Sequence, residues 1–194
     1  MDMALDALTD VSDETLLVLY GNGDRDAARS LTLRMGPLAY RVAYRMLSDA
    51  AEAEDVAQEA LLRLWRIAPE WRNGEAKVST WLYRVVTNLA TDRLRKRRGV
   101  GLDEAPEVED GAPSVVQAMI ARDRMNALEA ALSQLPDRQR QAVVLRHIEG
   151  LSNPEIAEAM EIGVEAVESL TARGKKGLAK LLAGQRAELG FGDD

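Results

Sequence analysis

Residues 79–98 read STWLYRVVTNLATDRLRKRR, and this stretch decides the fold class. Its apolar residues recur at three- and four-residue spacing, which is typical of an α-helix with one buried face. We expect this helix to run from Ser79 to about Arg97. The residues expected on its inner side are Leu82, Val85, Val86, Leu89 and Leu94.

Charge is sharply divided along the chain, whose net charge is −7. Between Trp81 and Arg98 there are six basic residues and one acid, whereas residues 99–114 hold five acids and no base. A sequence that separates its charges in this way is expected to bind both negatively and positively charged partners. The acidic stretch also contains Gly and Pro and few large apolar residues, so it indicates a flexible linker, which we place at 99–116.

The linker separates a first block, residues 1–98, from a second block, residues 117–194. Neither block has a repeat or an alternating apolar run, so the predicted fold class is all-α, with two small helical domains. The helices predicted in the first block are 13–20, 25–35, 38–47, 53–67 and 79–97, the second of them ended by Gly36-Pro37. The helices predicted in the second block are 115–132, 136–149, 152–160 and 164–182.

Helix starts are marked by capping residues. Asp49 stands three residues before Glu52, and Ser152 stands three residues before Glu155 with Pro154 in the first turn. A short polar side chain followed three residues later by Glu is the pattern of a capping box. Gly150 is a plausible end for the helix before Ser152.

The last two predicted helices have the spacing of a helix-turn-helix. Ala157 is small where the helices would cross, Ile162 and Val167 are apolar core positions, and a short turn lies between them. In such a pair the second helix can lie in the major groove of DNA. Any short helical hairpin needs similar residues, so this pattern alone leaves both interpretations open. The basic residues that favour DNA are Arg173, Lys175, Lys176 and Lys180.

Two further surfaces suggest binding. Trp71, Trp81 and Tyr83 lie near the basic end of helix 79–97, and aromatic faces beside cations suit stacking on unpaired bases. The alternative is that these rings belong to the core, which we expect for at least one Trp. On helix 53–67 a mixed polar and apolar outer stripe suits docking on a protein. Its members are Asp55, Gln58, Glu59, Leu62 and Arg66.

Composition argues against several other classes of protein. There is no Cys, and the single His, His147, is more typical of a surface residue than of a general base. No Gly-rich phosphate loop, catalytic triad or metal-ligand spacing is present in the sequence, so neither an enzyme nor a cofactor or metal site is predicted. The acidic N-terminus lacks a signal pattern and no apolar run is long enough to span a membrane, so we expect a cytoplasmic protein.

The motifs resemble extracytoplasmic-function (ECF) sigma factors of the sigma-70 family. In the first block the resemblance to region 2 rests on Asp13-Glu14 with Leu16-Leu17, EDVAQEA at 54–60, Trp65-Arg66, STWLYR at 79–84 and NLATDRLR at 88–95. In the second block, the motifs similar to region 4 are LPDRQR at 135–140, EGLS at 149–152 and EIA at 155–157. Together these motifs cover nearly the whole chain in the order of the family.

The resemblance implies a subunit of RNA polymerase that recognises promoters. The clamp helices of the largest polymerase subunit would be bound by Asp55, Gln58, Glu59, Leu62 and Arg66. The −10 element would be opened and held by Trp71, Asn73, Lys77, Thr80, Trp81, Arg84, Asn88 and Arg95. The −35 element would be read by Glu165, Glu168, Ser169, Ala172, Arg173, Lys175 and Lys176. The resemblance also implies contact with the flap of the second-largest subunit, a linker threaded toward the active centre, and control by an anti-sigma factor.

The sequence departs from the family in the helix-turn-helix. Glu168 stands where the family usually has a base, and Glu161 stands where Gly is common in the turn. Ser169 and Arg173 match the family. A carboxylate can accept a hydrogen bond from cytosine, but it also repels phosphate, so Glu165 and Glu168 either read bases or weaken −35 binding.

Two alternative functions remain at this stage. A sigma mimic would bind an anti-sigma factor without using DNA, and the acids of the last helix would suit it, whereas the intact basic run at 93–98 favours a true sigma factor. A free-standing helix-turn-helix repressor leaves the first block unexplained.

Overall fold

The structure is a computed structural model that describes residues 8–72, 74, 77–100 and 125–188. These residues form helices and connecting turns and contain no strand, so the predicted all-α class is confirmed for this part of the chain. The predicted linker beyond residue 100, and residues 115–124 of the first helix predicted in the second block, lie outside the described residues.

The described part of the first block contains four helices and, after the third, a 3-10 turn at Ala68–Glu70. They are α1 (Asp13–Gly21), α2 (Arg25–Leu47), α3 (Ala50–Ile67) and α4 (Val78–Val100). The predicted cap of α3 is confirmed, because the Asp49 carboxylate accepts a hydrogen bond from the Glu52 backbone N–H at 2.9 Å. This cap fixes the start of the helix that carries the predicted docking stripe.

The prediction that Gly36-Pro37 breaks a helix is wrong, because α2 continues through Pro37. Proline lacks an N–H, so the carbonyl of Leu33 loses its usual helical partner. Pro37 is exposed and the Leu33 side chain is 63% exposed. The Leu33 carbonyl therefore lies on the solvent-exposed side of the helix, where water can donate the hydrogen bond that the missing N–H of Pro37 would have given.

The predicted inner face of α4 is largely confirmed. Leu82 and Val86 are fully buried. The other three predicted positions, Val85, Leu89 and Leu94, are partly buried against the same core. This buried face packs α4 against both α2 and α3.

In the second block, the described helices are α5 (residues 125–133), α6 (Asp137–Val143), α7 (Asn153–Met160) and α8 (Val164–Glu188). The predicted helix 136–149 is not regular throughout, since α6 passes into a π-helix at Val144–Ile148. Gly150 then takes a positive φ of 75°, as expected for a helix-ending residue. The capping box of α7 is confirmed in both directions between Ser152 and Glu155.

Helices α7 and α8 form the predicted helix-turn-helix. Val167 is fully buried at their junction and Ile162 is partly buried. Val164 is 40% exposed because it is the first residue of α8 and precedes the crossing point. Glu161 ends α7 in the left-handed conformation with φ 53°, so the turn forms despite the absence of Gly there.

The two blocks pack against each other, a contact that the sequence did not predict. One core cluster contains Leu82 and Val86 of α4 together with Ile156 and Met160 of α7. The buried Arg140 of α6 extends this contact, because its guanidinium donates to the main-chain carbonyl of Met46 in α2. The helix-turn-helix therefore shares its core with the first block.

Gly174 of α8 is expected to be indispensable for the packing of α8 on α6. A Cβ at this position would lie 2.6 Å from Cγ2 of Val143 and 3.0 Å from the carbonyl oxygen of Gln139. We expect Gly174→Ala to lower the free energy of unfolding by about 1–3 kcal/mol, as overpacking does. The measurement is chemical denaturation followed by circular dichroism.

Gly36→Ala in α2 is the matched control, since its Cβ would meet nothing nearer than Leu61 Cδ1 at 4.0 Å. Because Ala is a better helix former than Gly, this variant should gain about 0.5–1 kcal/mol. Equal stability of the two variants would contradict the close α6–α8 contact.

Candidate functional site

The predicted docking stripe forms one exposed face of α3, which we call the α3 face. Asp55, Gln58 and Arg66 are exposed, Leu62 is 50% exposed and Glu59 is partly exposed. The opposite side of the helix is buried through Val56, Ala60 and Leu64. The face thus presents an apolar side chain among charges, which suits contact with another protein.

Ion pairs hold the acids of the α3 face in place. Glu59 accepts from Nε of Arg63 at 2.8 Å, and this hydrogen bond lowers the pKa of the Glu59 carboxyl. Asp55 lies 3.3 Å from Arg93 of α4. Each acid of the α3 face therefore has a basic neighbour, Arg63 for Glu59 and Arg93 for Asp55.

The residues predicted to hold the −10 element lie in and before α4, and we call them the −10 surface. Lys77, Asn88 and Arg95 are exposed, Arg84 and Trp81 are partly exposed, and Asn73 lies outside the described residues. Thr80 is only 4% exposed. By helical spacing, the described positions Trp81, Arg84, Asn88 and Arg95 share one side of α4, whereas Thr80 is inaccessible in this conformation.

The aromatic residues near this surface belong mainly to the core. Tyr83 is 6% exposed, and both Trp71 and Trp81 pack against the main cluster. The buried Nε1 of Trp71 has no hydrogen-bond partner among the described residues. The core interpretation is thus correct for Tyr83, while the edge of Trp81 stays partly open.

The basic end of α4 is largely paired within the chain. Arg97 bridges Asp49 and Glu52, each at 3.0 Å, and Arg95 lies 3.1 Å from Asp92 one turn earlier. Arg97 also donates to the carbonyl of Leu47 at 3.3 Å, which ties α4 to the end of α2. Much of the basic run that we interpreted as a nucleic-acid signal therefore also supports the fold.

Acids of the second block lie directly on the −10 surface. Glu155 Oε1 is 2.7 Å from Nζ of Lys77, and Glu161 Oε1 is 3.6 Å from Nη1 of Arg84. Glu158 lines a small cleft together with Trp81. The hydrogen bond from Lys77, followed by those from Ser152, lowers the pKa of Glu155 to about 2.

The central polar contact between the blocks is formed by Glu149. Its side chain is only 1% exposed. Arg41 donates two hydrogen bonds to its carboxylate, from Nε to Oε1 at 2.8 Å and from Nη2 to Oε2 at 2.6 Å. The Tyr83 hydroxyl donates to the same carboxylate at 3.1 Å. Burial, and then the charge of Glu149, raises the pKa of Tyr83 well above its usual value.

Sequence reasoning missed this contact. The EGLS motif drew attention to Glu149, but neither Arg41 nor Tyr83 was connected with it. The partners lie 108 and 66 residues away along the chain, where no local periodicity can relate them.

The predicted DNA-reading face of α8 is exposed. The residues that share it are Glu165, Glu168, Ser169, Ala172, Arg173, Lys175 and Lys176, all of them exposed. The Glu168 carboxylate accepts a weak hydrogen bond from Asn153 Nδ2 at 3.4 Å, and Arg173 folds back onto the Ser169 carbonyl at 3.2 Å. The helix therefore offers acids near its start and bases further along.

The described part of the chain has neither a metal-binding cluster nor a membrane-spanning helix. No group of three or more His, Cys, Asp or Glu side chains there is arranged to hold a metal ion. No helix in that part is long and apolar enough to cross a membrane.

Comparison with protein families divides the chain as its helices do. Residues 31–100 match the family model of Sigma-70 region 2, and residues 125–178 match that of Sigma-70 region 4. The first match spans α2 to α4 and the second spans α5 to most of α8. The two matched regions therefore coincide with the two helical blocks.

Individual relatives narrow the assignment. The chain is 34% identical to the ECF RNA polymerase sigma factor SigW of Bacillus subtilis over 82% of its own length and 91% of that protein. It is 33% identical to the RNA polymerase sigma-H factor of Pseudomonas aeruginosa over 90% of its length and 96% of that protein. The chain belongs to the ECF sigma factors of the sigma-70 family.

Solved structures have the same fold. The structure of CnrH in complex with the cytosolic domain of CnrY superposes with a TM-score of 0.68, at 24% identity, covering 89% of this chain and 97% of that one. The sigma factor RpoE of Bartonella quintana, in complex with the anti-sigma factor NepR, gives a TM-score of 0.64 at 23% identity, covering 80% and 96%.

Proposed function

We propose that this protein binds core RNA polymerase and directs it to promoters, with each block making a separate contact. In this proposal the first block, 1–98, docks through the α3 face on the clamp helices and holds the −10 element. The second block, 117–194, reads the −35 element and meets the flap, and 99–116 connects them. The observation that carries the proposal is that the α3 face and the outer face of α8 are both exposed on a chain with regions 2 and 4.

The proposal also covers how the protein is regulated and where in the cell it acts. Two solved structures of similar fold are complexes, one of them of a sigma factor with its anti-sigma factor, so we propose that an anti-sigma factor also controls this chain. We further propose that it acts in the cytoplasm, without catalytic groups or a cofactor of its own. Promoter recognition needs only charge, hydrogen bonds and stacking.

The decisive test of function is run-off transcription with core polymerase on a library of genomic fragments. We expect defined transcripts that require this protein. Absence of any dependent transcript under conditions where the protein binds core polymerase would refute the assignment to initiation.

The α3 face generates a prediction about polymerase binding. Asp55→Arg with Glu59→Arg replaces the negative charge by positive charge and should weaken co-purification with core polymerase at least roughly tenfold, the effect of reversing close charges. Stability should change little, because both positions lie at the surface. Asp26→Arg with Glu70→Arg reverses two exposed acids outside this face and should bind normally. Equal weakening by both pairs would contradict a specific docking face.

The −10 surface generates a prediction about opening of the promoter. Asn88 is exposed, so Asn88→Ala should leave the fold and core binding intact. We expect it to slow open-complex formation, measured by permanganate reactivity of unpaired thymines at a promoter found in the library. Equal losses of core binding and opening would instead assign Asn88 to the fold.

The outer face of α8 generates a prediction about the −35 element. If Glu168 accepts from a cytosine, Glu168→Gln should relax base preference at one position by about 1–3 kcal/mol. Lys175→Ala should instead weaken binding to all sequences and reduce the slope of log K against log salt by about 1. The measurement is binding to a randomised −35 library at several salt concentrations. If Glu168→Lys raises affinity for every sequence alike, Glu168 limits affinity and does not read a base.

A further inference from the structure

The residue that precedes α4 is Lys77, which cannot cap a helix with its own side chain. The Trp81 N–H donates to the Lys77 carbonyl at 3.1 Å, so the first turn of the helix closes on Lys77. A Ser, Thr, Asp or Asn oxygen usually accepts from the free N–H groups at this point, whereas the Lys ammonium has only donors. Ser79 and Thr80 lie after the first residue of the helix. The first turn of α4 therefore needs an acceptor from another element.

Glu14 of α1 supplies this acceptor. Its Oε1 accepts a hydrogen bond from the Val78 N–H at 3.1 Å, although the two residues are 64 positions apart in the chain. Val78 is fully buried, so its N–H depends on a protein acceptor and not on water. The positive end of the helix dipole also favours a carboxylate at this place. Glu14 thus caps α4 from outside the helix.

Helix α1 holds Glu14 in a fixed position. Leu16 and Leu17 are fully buried and anchor the helix in the core. The guanidinium of Arg34 in α2 makes four hydrogen bonds of between 2.7 and 3.0 Å to the segment just before Glu14. Its acceptors are the carbonyls of Leu8, Thr9 and Val11 and the carboxylate of Asp13. The carboxylate of Glu14 is therefore presented to α4 by a firmly attached element.

The simpler alternative is that Glu14 serves only α1, whose first turn it occupies. An acid there is favoured by the dipole of α1 itself. That helix already has its own cap, because Ser12 Oγ accepts from the Thr15 N–H at 3.2 Å. The hydrogen bond to Val78 is therefore not required for the start of α1, and it links α1 to α4.

The turn that Glu14 caps carries part of the −10 surface. Lys77 directly precedes Val78, and Trp81 lies in the first turn of the helix. Arg84 follows one turn later, where the regular hydrogen bonds of the helix hold the backbone. Loss of the cap would let the first turn fray and would change the positions of Lys77 and Trp81 relative to Arg84.

We propose that Glu14 is a positioning residue for promoter opening, which caps α4 from α1 and thereby fixes Lys77 and Trp81 for contact with the unpaired −10 strand. This inference rests on the proposed function of the −10 surface. Glu14 does not touch DNA in this scheme, and it acts only through the start of α4. A binding surface gains rate and affinity when its side chains are held in place before the partner arrives.

Two substitutions of Glu14 and one control test the inference. Glu14→Ala removes the acceptor, whereas Glu14→Gln keeps an oxygen of similar reach and removes only the charge. The matched control is Asp24→Ala, which removes the cap of α2, where Asp24 Oδ1 accepts from the N–H groups of Asp26 and Ala27 at 2.9 and 3.0 Å. Thermal unfolding followed by circular dichroism should show a similar loss of stability in both alanine variants.

The first readout is the rate of open-complex formation by holoenzyme assembled from core polymerase and the full-length chain. The rate is measured by permanganate reactivity of thymines at a promoter found in the library. We expect Glu14→Ala to open roughly fivefold more slowly, the size of a lost helix cap, with unchanged co-purification with core polymerase. Glu14→Gln should recover most of the rate, and Asp24→Ala should open at nearly the wild-type rate.

Three results of this assay would overturn the inference. They are a wild-type rate in Glu14→Ala, an equal slowing in Asp24→Ala, and a rate in Glu14→Gln as low as that in Glu14→Ala. The second of these would show that opening follows overall stability and not the start of α4.

The second readout is hydrogen exchange of the full-length chain without polymerase or DNA. The amides of Val78 and Trp81 should exchange faster in Glu14→Ala, because the first lost its acceptor and the second lies in the frayed turn. Glu14→Gln and Asp24→Ala should leave these two amides close to wild type. Unchanged exchange of Val78 in Glu14→Ala would refute the cap itself.

The behaviour of the wild-type protein separates this inference from the proposed function. If wild type opens promoters and Glu14→Ala opens them equally well, the positioning role fails and the proposed function stands. If wild type binds core polymerase but opens no promoter, the proposed function fails and the positioning role fails with it. Hydrogen exchange would still show in that case whether Glu14 caps α4.

Discussion

The arrangement of the molecule depends on the burial of one carboxylate, that of Glu149. Removing an ionised carboxyl from water is costly unless a partner of opposite charge and further hydrogen bonds meet it. Arg41 supplies a two-point contact and Tyr83 supplies a hydroxyl, and both belong to the first block. Because Glu149 ends the helical segment that follows α6, satisfying its charge fixes where the second block lies.

The same electrostatics explain a protein that is acidic overall yet expected to bind nucleic acid. Five cations of the first block lie close together at 93–98 near the end of α4, and several of them are paired within the chain, as with Arg97 and its two carboxylates. Net charge therefore says little about what a surface offers to a partner. What matters is which ion pairs within the chain can be replaced by contacts with a partner. Lys77 and Arg84 are exposed enough for their ion pairs to be replaced in this way.

Local signals in the sequence were sufficient for most of the fold. Periodicity located α4, and capping residues placed the starts of α3 and α7, because these features act over one or two turns. Pro37 misled us, since its effect on a helix depends on whether the freed carbonyl faces water. The exposed faces of α3 and α8 were also predictable, whereas the burial of Thr80 depends on a contact between blocks. Such contacts join residues too far apart for spacing to reveal.

The glycines of α8 affect the order in which parts of the molecule unfold locally. Gly174 and Gly177 allow close approach to α6 and to Leu135, but glycine is a poor helix former. The half of α8 after Gly174 is therefore stabilised as a helix largely by its contacts with α6 and Leu135. In hydrogen exchange, amides of this half should open together with α6, while those near Val167, which is buried at the junction with α7, should exchange more slowly. Local unfolding would then begin at the end of the helix away from the proposed base contacts and leave the reading end ordered.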